Sequence, residues 1–195
     1  MSEFSLEALD FVVPKHDQKE YKFMRLSNDL KVMVVRDTAS QNSAASISVQ
    51  AGSGIEDRRL PGQAHYLEHG LFLGSEKYPE EDALFQYVMG RGGGGNAYTA
   101  MEETNYFFQI DNAGFSHAFD ILTDMVAAPL LAEEPLSREY QAVNSEYEKD
   151  FIIDGWKFYQ LLCHLANKDS EINRFSIGNT ATLHTIPLSE GLDPP

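Results

Sequence analysis

The sequence predicts an α+β domain in which a largely antiparallel sheet carries helices packed on one face. Two observations predict this class. Short apolar segments of strand character occur in pairs, and each pair is followed by segments with helical periodicity, which gives the order ββαα-ββαα. The 195 residues are 43% hydrophobic and 11% aromatic, a composition that allows a globular core.

The first half of the chain supplies one strand pair and the first helix. Residues 1–20 are expected to form an extended arm because their periodicity is weak. Residues 31–35 are apolar and rich in valine, and residues 45–51 alternate apolar and small polar side chains, so both segments predict strands. The polar residues 36–43 between them predict a hairpin loop. A helix is expected over residues 62–73.

The second half repeats this pattern. A proline near the start and three acidic residues in the first turn predict a helix over residues 79–90. Residues 97–101 and 104–110 predict a second strand pair. Helical periodicity then predicts one helix over residues 115–126 and a single long helix over residues 135–167.

The composition limits the classes of partner. The formal net charge is -15 and the isoelectric point is about 4.6, which disfavours nucleic acid and anionic membranes as partners. The same acidity is compatible with substrates that carry basic residues. Cys163 is the one cysteine, the N-terminus is acidic, and no apolar run approaches the roughly eighteen residues of a membrane span. These features predict a cytoplasmic protein without a membrane segment.

The sequence predicts an N-terminal arm followed by one domain. After the arm at residues 1–20, residues 21–195 are expected to form one domain. The last residues, G-L-D-P-P, supply neither a closing helix nor a strand. We therefore expect the chain to be part of a longer, multi-domain protein.

A candidate metal site lies in the predicted helix at H-Y-L-E-H. At about 100 degrees per residue, His65, Glu68 and His69 share one arc of about 100 degrees, whereas Leu67 is expected to point towards the core. Two histidines one turn apart can both reach one zinc ion, and a neighbouring glutamate can act as general base. The spacing alone leaves an alternative open, in which both histidines merely form hydrogen bonds.

A third protein ligand is expected from a separate element. The long predicted helix contains Glu139 and Glu146, which are seven residues apart and therefore share a face. Glu148 faces elsewhere. The alternative for Glu139 and Glu146 is a solvated helix face, which spacing alone does not exclude.

Five motifs together resemble the zinc domain of the pitrilysin/insulinase metallopeptidases. They are H-Y-L-E-H, L-F-L-G-S-E-K-Y-P, G-G-G-G-N-A-Y-T, T-N-Y-F-F and N-S-E-Y-E-K-D, in this order. The first has the H-x-x-E-H order of the inverzincins. The similarity extends over residues 21–183 and is greatest to the insulysin branch.

The resemblance implies a zinc metalloendopeptidase. It implies that His65, His69 and Glu146 bind one Zn²⁺ per chain, that Glu68 is the general base, and that Glu139 orients a ligand histidine. Peptides would be the substrates, and further domains of a longer protein would be partners. The alternative is a non-catalytic relative that keeps the fold as a scaffold or substrate-binding domain.

The resemblance also implies a place for the substrate. An extended peptide would add as a further strand to the edge of the second predicted hairpin, where main-chain hydrogen bonds supply recognition. The residues expected to bind substrate are Asn96, Ala97, Tyr98 and Thr99.

Overall fold

The computed structural model describes residues 5–6 and 12–189. The chain divides into two compact units, Met1–Gln41 and Asn42–Pro195. Residues 1–4 and 7–11 of the predicted arm, and the chain end at 190–195, lie outside the described residues. The predicted domain boundary at residue 20 stays a prediction.

The first unit contains a three-stranded antiparallel sheet in the order β1-β2-β3. Its strands are β1 (Ser5–Leu6), β2 (Glu20–Arg25) and β3 (Lys31–Arg36). The predicted hairpin between residues 31–35 and 45–51 is wrong, because β3 pairs with β2. The turn between β2 and β3 contains Asp29, whose φ of 65 degrees lies in the left-handed region. The strand β2 was not predicted from the sequence.

The second unit contains the sheet that positions the candidate site. Its strands are β4 (Asn42–Val49), β5 (Gly94–Thr99) and β6 (Thr104–Asp111). They are antiparallel in the order β4-β6-β5, so β5 lies at one edge. The predicted strand pair at 97–101 and 104–110 is confirmed as the hairpin β5-β6.

Three helices of this unit contribute to its core, two between β4 and β5 and one after β6. They are α1 (Gln63–Leu71), α2 (Ala83–Gly90) and α3 (Phe115–Ala127). The predicted start of α2 at Pro79 is wrong. Asp82 adopts a left-handed φ of 58 degrees, and its backbone N–H donates to Phe72 O at 2.8 Å, so the acidic residues before Ala83 belong to a turn.

The predicted helix over residues 135–167 is interrupted. The structure has α4 (Glu133–Phe151) and α5 (Asp154–Leu165), and Ile153 between them is extended. A short π-helical turn at Ala181–Thr185 and the helix α6 (Ile186–Ser189) follow. None of the helices in the described residues is long and apolar enough to cross a membrane.

The core of the second unit confirms the α+β class. Every second residue of β6 is buried, and these side chains pack against α1, α2 and α3. Leu84 and Val88 from α2, Leu122 from α3 and Phe108 from β6 are almost fully buried. The predicted order of strands and helices is thus present, but the two strands of the first predicted pair lie in different sheets.

Candidate active site

The helix α1 carries His65, Glu68 and His69, and a buried glutamate holds its first turn. Glu56 Oε2 accepts a hydrogen bond from Gly62 N at 2.9 Å, and its Oε1 accepts one from Ala64 N at 2.7 Å. Burial raises the pKa of Glu56, although these two backbone hydrogen bonds oppose the rise. The carboxylate thereby satisfies backbone N–H groups that have no partner within the helix.

The side of α1 that packs against the protein differs from the prediction. Leu67 is 45% exposed, so its predicted orientation towards the core is wrong. Tyr66, Gly70 and Leu71 are buried instead. A side chain built at Gly70 would place Cβ 3.0 Å from Leu136 Cδ2 on α4. Gly70 therefore allows α1 and α4 to lie close together beside the histidines.

This packing brings Glu146 of α4 against both histidines. Glu146 Oε2 lies 3.6 Å from His65 Nε2 and 3.4 Å from His69 Nε2. One ligand atom from each of the three residues lies within 4.8 Å of the others. The structure thus brings together the three residues that the sequence selects as metal ligands.

The second nitrogen of each imidazole is held by another group. His69 Nδ1 lies 2.9 Å from Glu139 Oε1, and His65 Nδ1 lies 2.7 Å from the backbone oxygen of Ile177. Each Nδ1 therefore donates its proton to an oxygen, which leaves Nε2 as the free ligand atom. Ile177 was missed by sequence analysis, because a backbone carbonyl gives no signal in the residue type.

Two carboxylates favour the protonated form of His69. Burial alone would lower the pKa of His69, but the hydrogen bonds to Glu139 and Glu146 raise it to about 9. The hydrogen bond to His69 lowers the pKa of Glu146 against the opposing effect of burial. A metal ion bound through Nε2 of His69 would compete with this proton.

Glu68 lies outside this three-residue group. It is 7% exposed, and Thr99 Oγ1 donates a hydrogen bond to its Oε2 at 2.5 Å. Burial, and then the charge of Glu68, raise the pKa of the nearby Tyr106 phenol. The carboxylate of Glu68 thus lies in the same cleft as the candidate metal-ligand group of His65, His69 and Glu146, and the hydroxyl of Thr99, the last residue of β5, holds it.

The edge strand β5 borders the same cleft. The cleft has a volume of about 790 Å³ and is lined by the histidines, by Glu68, by Glu139 and Glu146, and by Asn96, Ala97, Tyr98 and Thr99. Ala100 N donates a hydrogen bond to Glu103 O, so the main chain of Ala100 faces the other strand of the hairpin. Main-chain groups that face the partner strand alternate with groups that face away along an antiparallel strand. The N–H and C=O of Ala97 and Thr99 therefore point away from β6.

The remaining cleft residues make it acidic and partly aromatic. Phe72 and Phe85 stack with ring centroids 4.6 Å apart, and Glu81, Asp82, Asp150, Trp156 and Tyr159 complete the lining with Leu73, Ser176 and Ile177. None of the described lining residues is lysine or arginine. Such a cleft suits an extended chain that carries positive charge.

Comparison with known proteins decides the family. Residues 31–169 match the family described as insulinase (Peptidase family M16). The chain belongs to the insulinase family. The site described above therefore lies in a member of a peptidase family, as the sequence resemblance predicts.

Relatives of this insulinase-family chain are similar over almost its whole length. The Arabidopsis thaliana protein named insulin-degrading enzyme-like 1, peroxisomal, is 41% identical over 192 residues, which cover 98% of this chain and 20% of that protein. A Schizosaccharomyces pombe relative, named as a zinc protease, is 41% identical over 182 residues, or 93% of this chain and 19% of the relative.

The fold is also that of a known structure. The crystal structure of pitrilysin matches with a TM-score of 0.88 at 32% identity, over 93% of this chain and 19% of that chain. The insulinase-family chain thus spans about a fifth of the length of the relatives that it matches.

Proposed function

We propose that this chain is the metal-binding catalytic domain of a zinc-dependent metalloendopeptidase. One observation carries the proposal. Both histidine Nε2 atoms face Glu146, while both Nδ1 atoms are tied to oxygens, and the separate carboxylate of Glu68 lies in the same cleft.

The donor set fits zinc. His65 and His69 would bind one Zn²⁺ per chain through Nε2, and Glu146 would bind through its carboxylate. Three protein ligands are typical of catalytic zinc sites, whereas structural sites are usually closed by four and are rich in cysteine. Bound zinc would supply Lewis-acid chemistry, which makes water more acidic and polarises a carbonyl.

Glu68 would be the general base, since its carboxylate lies in the same cleft as the proposed ligands. Its carboxylate would accept a proton from the attacking water and then deliver it to the leaving amine of the peptide. The hydrogen bond from Thr99 Oγ1 fixes one carboxylate oxygen, so the other remains for the proton. Glu139 would hold the His69 ring in the orientation that presents Nε2.

The edge of β5 would bind the substrate. The outward main-chain groups of Ala97 and Thr99 can pair with an extended peptide, which would then lie along the cleft beside Glu68. The side chains of Asn96 and Tyr98 are exposed. They would border the bound peptide on the solvent-exposed face of β5.

The proposal also covers the protein to which this chain belongs and its location in the cell. The length of the relatives supports a longer protein whose further domains are partners of this one. The alternative is a non-catalytic scaffold or substrate-binding domain, inactive as an isolated fragment. A cytoplasmic location is supported by one cysteine and an acidic composition.

Metal analysis tests the proposed ligands. We expect one zinc per chain in the wild-type protein, measured by mass spectrometry of the metal after dialysis, and a loss of most of that zinc in both His69→Ala and Glu146→Gln. Glu148→Gln is the matched control, since Glu148 lies on the same helix outside the metal-ligand group. Zinc retained in both ligand variants would refute the site.

The variant Glu68→Gln distinguishes a catalytic domain from a non-catalytic scaffold. We expect it to bind zinc as the wild type does and to lose hydrolysis of an internally quenched fluorogenic peptide. If the wild type binds zinc and cleaves no peptide in any assay, the scaffold alternative is correct.

A further inference from the structure

We propose that Arg174 is a positioning residue of the candidate metal site. Its guanidinium joins the loop that carries Ile177 to the segment that precedes α1, and thereby fixes where the Ile177 carbonyl meets His65 Nδ1. The role rests on the proposed function, because it concerns the presentation of a zinc ligand. Arg174 is not among the described residues that line the cleft, so it would act through His65 and would touch neither metal nor substrate.

The oxygen that holds His65 belongs to a loop. Residues 166–179, between α5 and the π-helical turn, form neither helix nor strand. Ile177 O lies 2.7 Å from His65 Nδ1, and a shift of the loop by a fraction of this distance would weaken the hydrogen bond. No ladder of helix or sheet hydrogen bonds holds this loop, so contacts with other elements must fix its position.

Arg174 supplies a contact between this loop and the start of α1. Its side chain is 11% exposed, and its Nη1 donates a hydrogen bond to Glu56 O at 2.7 Å. The carboxylate of the same Glu56 accepts hydrogen bonds from Gly62 N and Ala64 N. Glu56 therefore anchors the loop through its main chain and the helix that carries His65 through its side chain.

The guanidinium is itself held in one orientation. Arg174 Nε donates to Glu171 Oε2 at 2.7 Å, and Nη2 forms an ion pair with the same oxygen. Nε, Nη1 and Nη2 thus all have partners, an arrangement that the planar fork of arginine allows and the single ammonium of lysine does not. The side chain is therefore a fixed connection rather than a mobile surface cation.

A backbone contact on the other side of Ile177 completes the support. Gly62 has a left-handed φ of 93 degrees, and a Cβ at this position would collide with the backbone of Gly178. The loop therefore touches the start of α1 one residue after Ile177, while Arg174 holds it three residues before. The carbonyl of Ile177 lies between these two contacts.

Two further side chains hold the same loop and are less suited to this role. Asn173 Nδ2 donates to Cys163 O at 2.9 Å and to His164 O at 3.1 Å, which ties the loop to the end of α5. Arg58 Nη2 donates to Ser170 O, but this hydrogen bond is 3.3 Å long and exposed. A long, exposed contact contributes little, because water competes for both groups.

Zinc affinity tests the role of Arg174. The proteins are the full chain and its variants, and the dissociation constant of zinc is measured by competition with a chromophoric chelator. We expect Arg174→Ala to weaken zinc binding by about 10- to 100-fold, as loss of a group that orients a ligand histidine usually does. Arg174→Lys keeps the charge and one donor for Glu56 O, so its affinity should lie between those of the wild type and Arg174→Ala.

Arg58→Ala is the matched control. It removes the same charge and a contact between the same two segments, but a contact that is exposed and seven residues from Ile177. We expect it to change the zinc affinity by less than about threefold.

The spectrum of bound Co²⁺ distinguishes positioning from general stability. The visible absorption of this ion depends on the geometry of its ligands, and a folded, fully loaded chain keeps its spectrum when only stability is lost. We expect Arg174→Ala to shift the absorption bands and Arg58→Ala to leave them unchanged. If Arg174→Ala does not fold, Arg174→Lys carries both measurements, and zinc binding weaker than that of the wild type is then the expected result.

Two results would overturn the positioning role. One is wild-type zinc affinity together with a wild-type cobalt spectrum in the folded Arg174 variant, and the other is an equal loss of affinity in Arg58→Ala. Failure of the proposed function gives a different result. If the wild type binds zinc and cleaves no peptide while Arg174→Ala shows the loss of affinity, the positioning role stands and the peptidase proposal fails. A wild type that binds no zinc would remove both.

Discussion

Thr99 connects the edge of the sheet to the candidate general base. Its hydroxyl donates to Glu68 Oε2, while its main chain belongs to the strand edge proposed to bind substrate. We expect Thr99→Val, which keeps the shape and removes the donor, to lower kcat/KM for a fluorogenic peptide by about 10- to 100-fold, as loss of a supporting hydrogen bond usually does.

Two comparisons separate this positioning role from a general structural effect. Thr99→Ser restores the hydroxyl and should recover most of kcat/KM, and both variants should keep one zinc per chain. If Thr99→Val has wild-type activity, or if serine is no better than valine, the hydrogen bond has no part in catalysis.

Among single residues, the sequence indicated which side chains lie together better than it indicated their other contacts. Helical spacing pointed to His65, Glu68 and His69, and the resemblance to the family added Glu146; their roles stay predictions. The partner of Glu68 could not be predicted, since Thr99 reaches it only through the register of β5 on β6. A helical projection gives relative angles between side chains and not the arc that faces the core, which is why the orientation of Leu67 was wrong.

At the scale of elements, the start of α1 depends on a glutamate that precedes it. Glutamine at position 56 has one acceptor oxygen, so Gly62 N or Ala64 N would lose its partner. We expect Glu56→Gln to lower the free energy of unfolding by about 1–3 kcal/mol, measured by urea unfolding followed by circular dichroism.

The matched control for this effect is Glu102→Gln. Glu102 is exposed, and substitutions at such positions usually change stability by less than about 0.5 kcal/mol. Equal stability of the two variants would show that Glu56 does not stabilise the helix start.

The boundaries of elements show which local signals were misleading. Pro79 and the acidic residues after it have the composition of a helix start, yet the hydrogen bond from Asp82 N to Phe72 O holds them in a turn. The periodicity of α4 continues into α5, so the helical period does not mark the extended Ile153, although the turn dipeptide Asp154-Gly155 follows it directly. Such breaks depend on tertiary contacts that override local preference.

At the scale of the whole molecule, the chain has apolar surface beyond what a separate domain normally exposes. Phe158, Leu161 and Leu165 on α5 are each more than half exposed. The chain also spans about a fifth of the length of its relatives. Both facts are consistent with the proposal that this chain is one domain of a longer protein.

We therefore expect the isolated chain to bind zinc and to cleave peptides slowly. Its kcat/KM on a fluorogenic peptide should lie about 100-fold or more below that of pitrilysin assayed in parallel, because incomplete positioning of substrate costs rates of this order. An isolated chain as active as pitrilysin, with activity abolished by Glu68→Gln, would contradict this expectation.

The contact between His65 and Ile177 has a consequence for synthesis. A nascent chain that ends at Glu146 already contains all three proposed ligands, but the carbonyl that holds His65 Nδ1 belongs to Ile177, which is synthesised later. The next residue, Gly178, adopts a left-handed φ of 84 degrees and lies against Gly62 at the start of α1. The candidate metal site is thus completed only after the segment around Ile177 has been synthesised and has returned to α1.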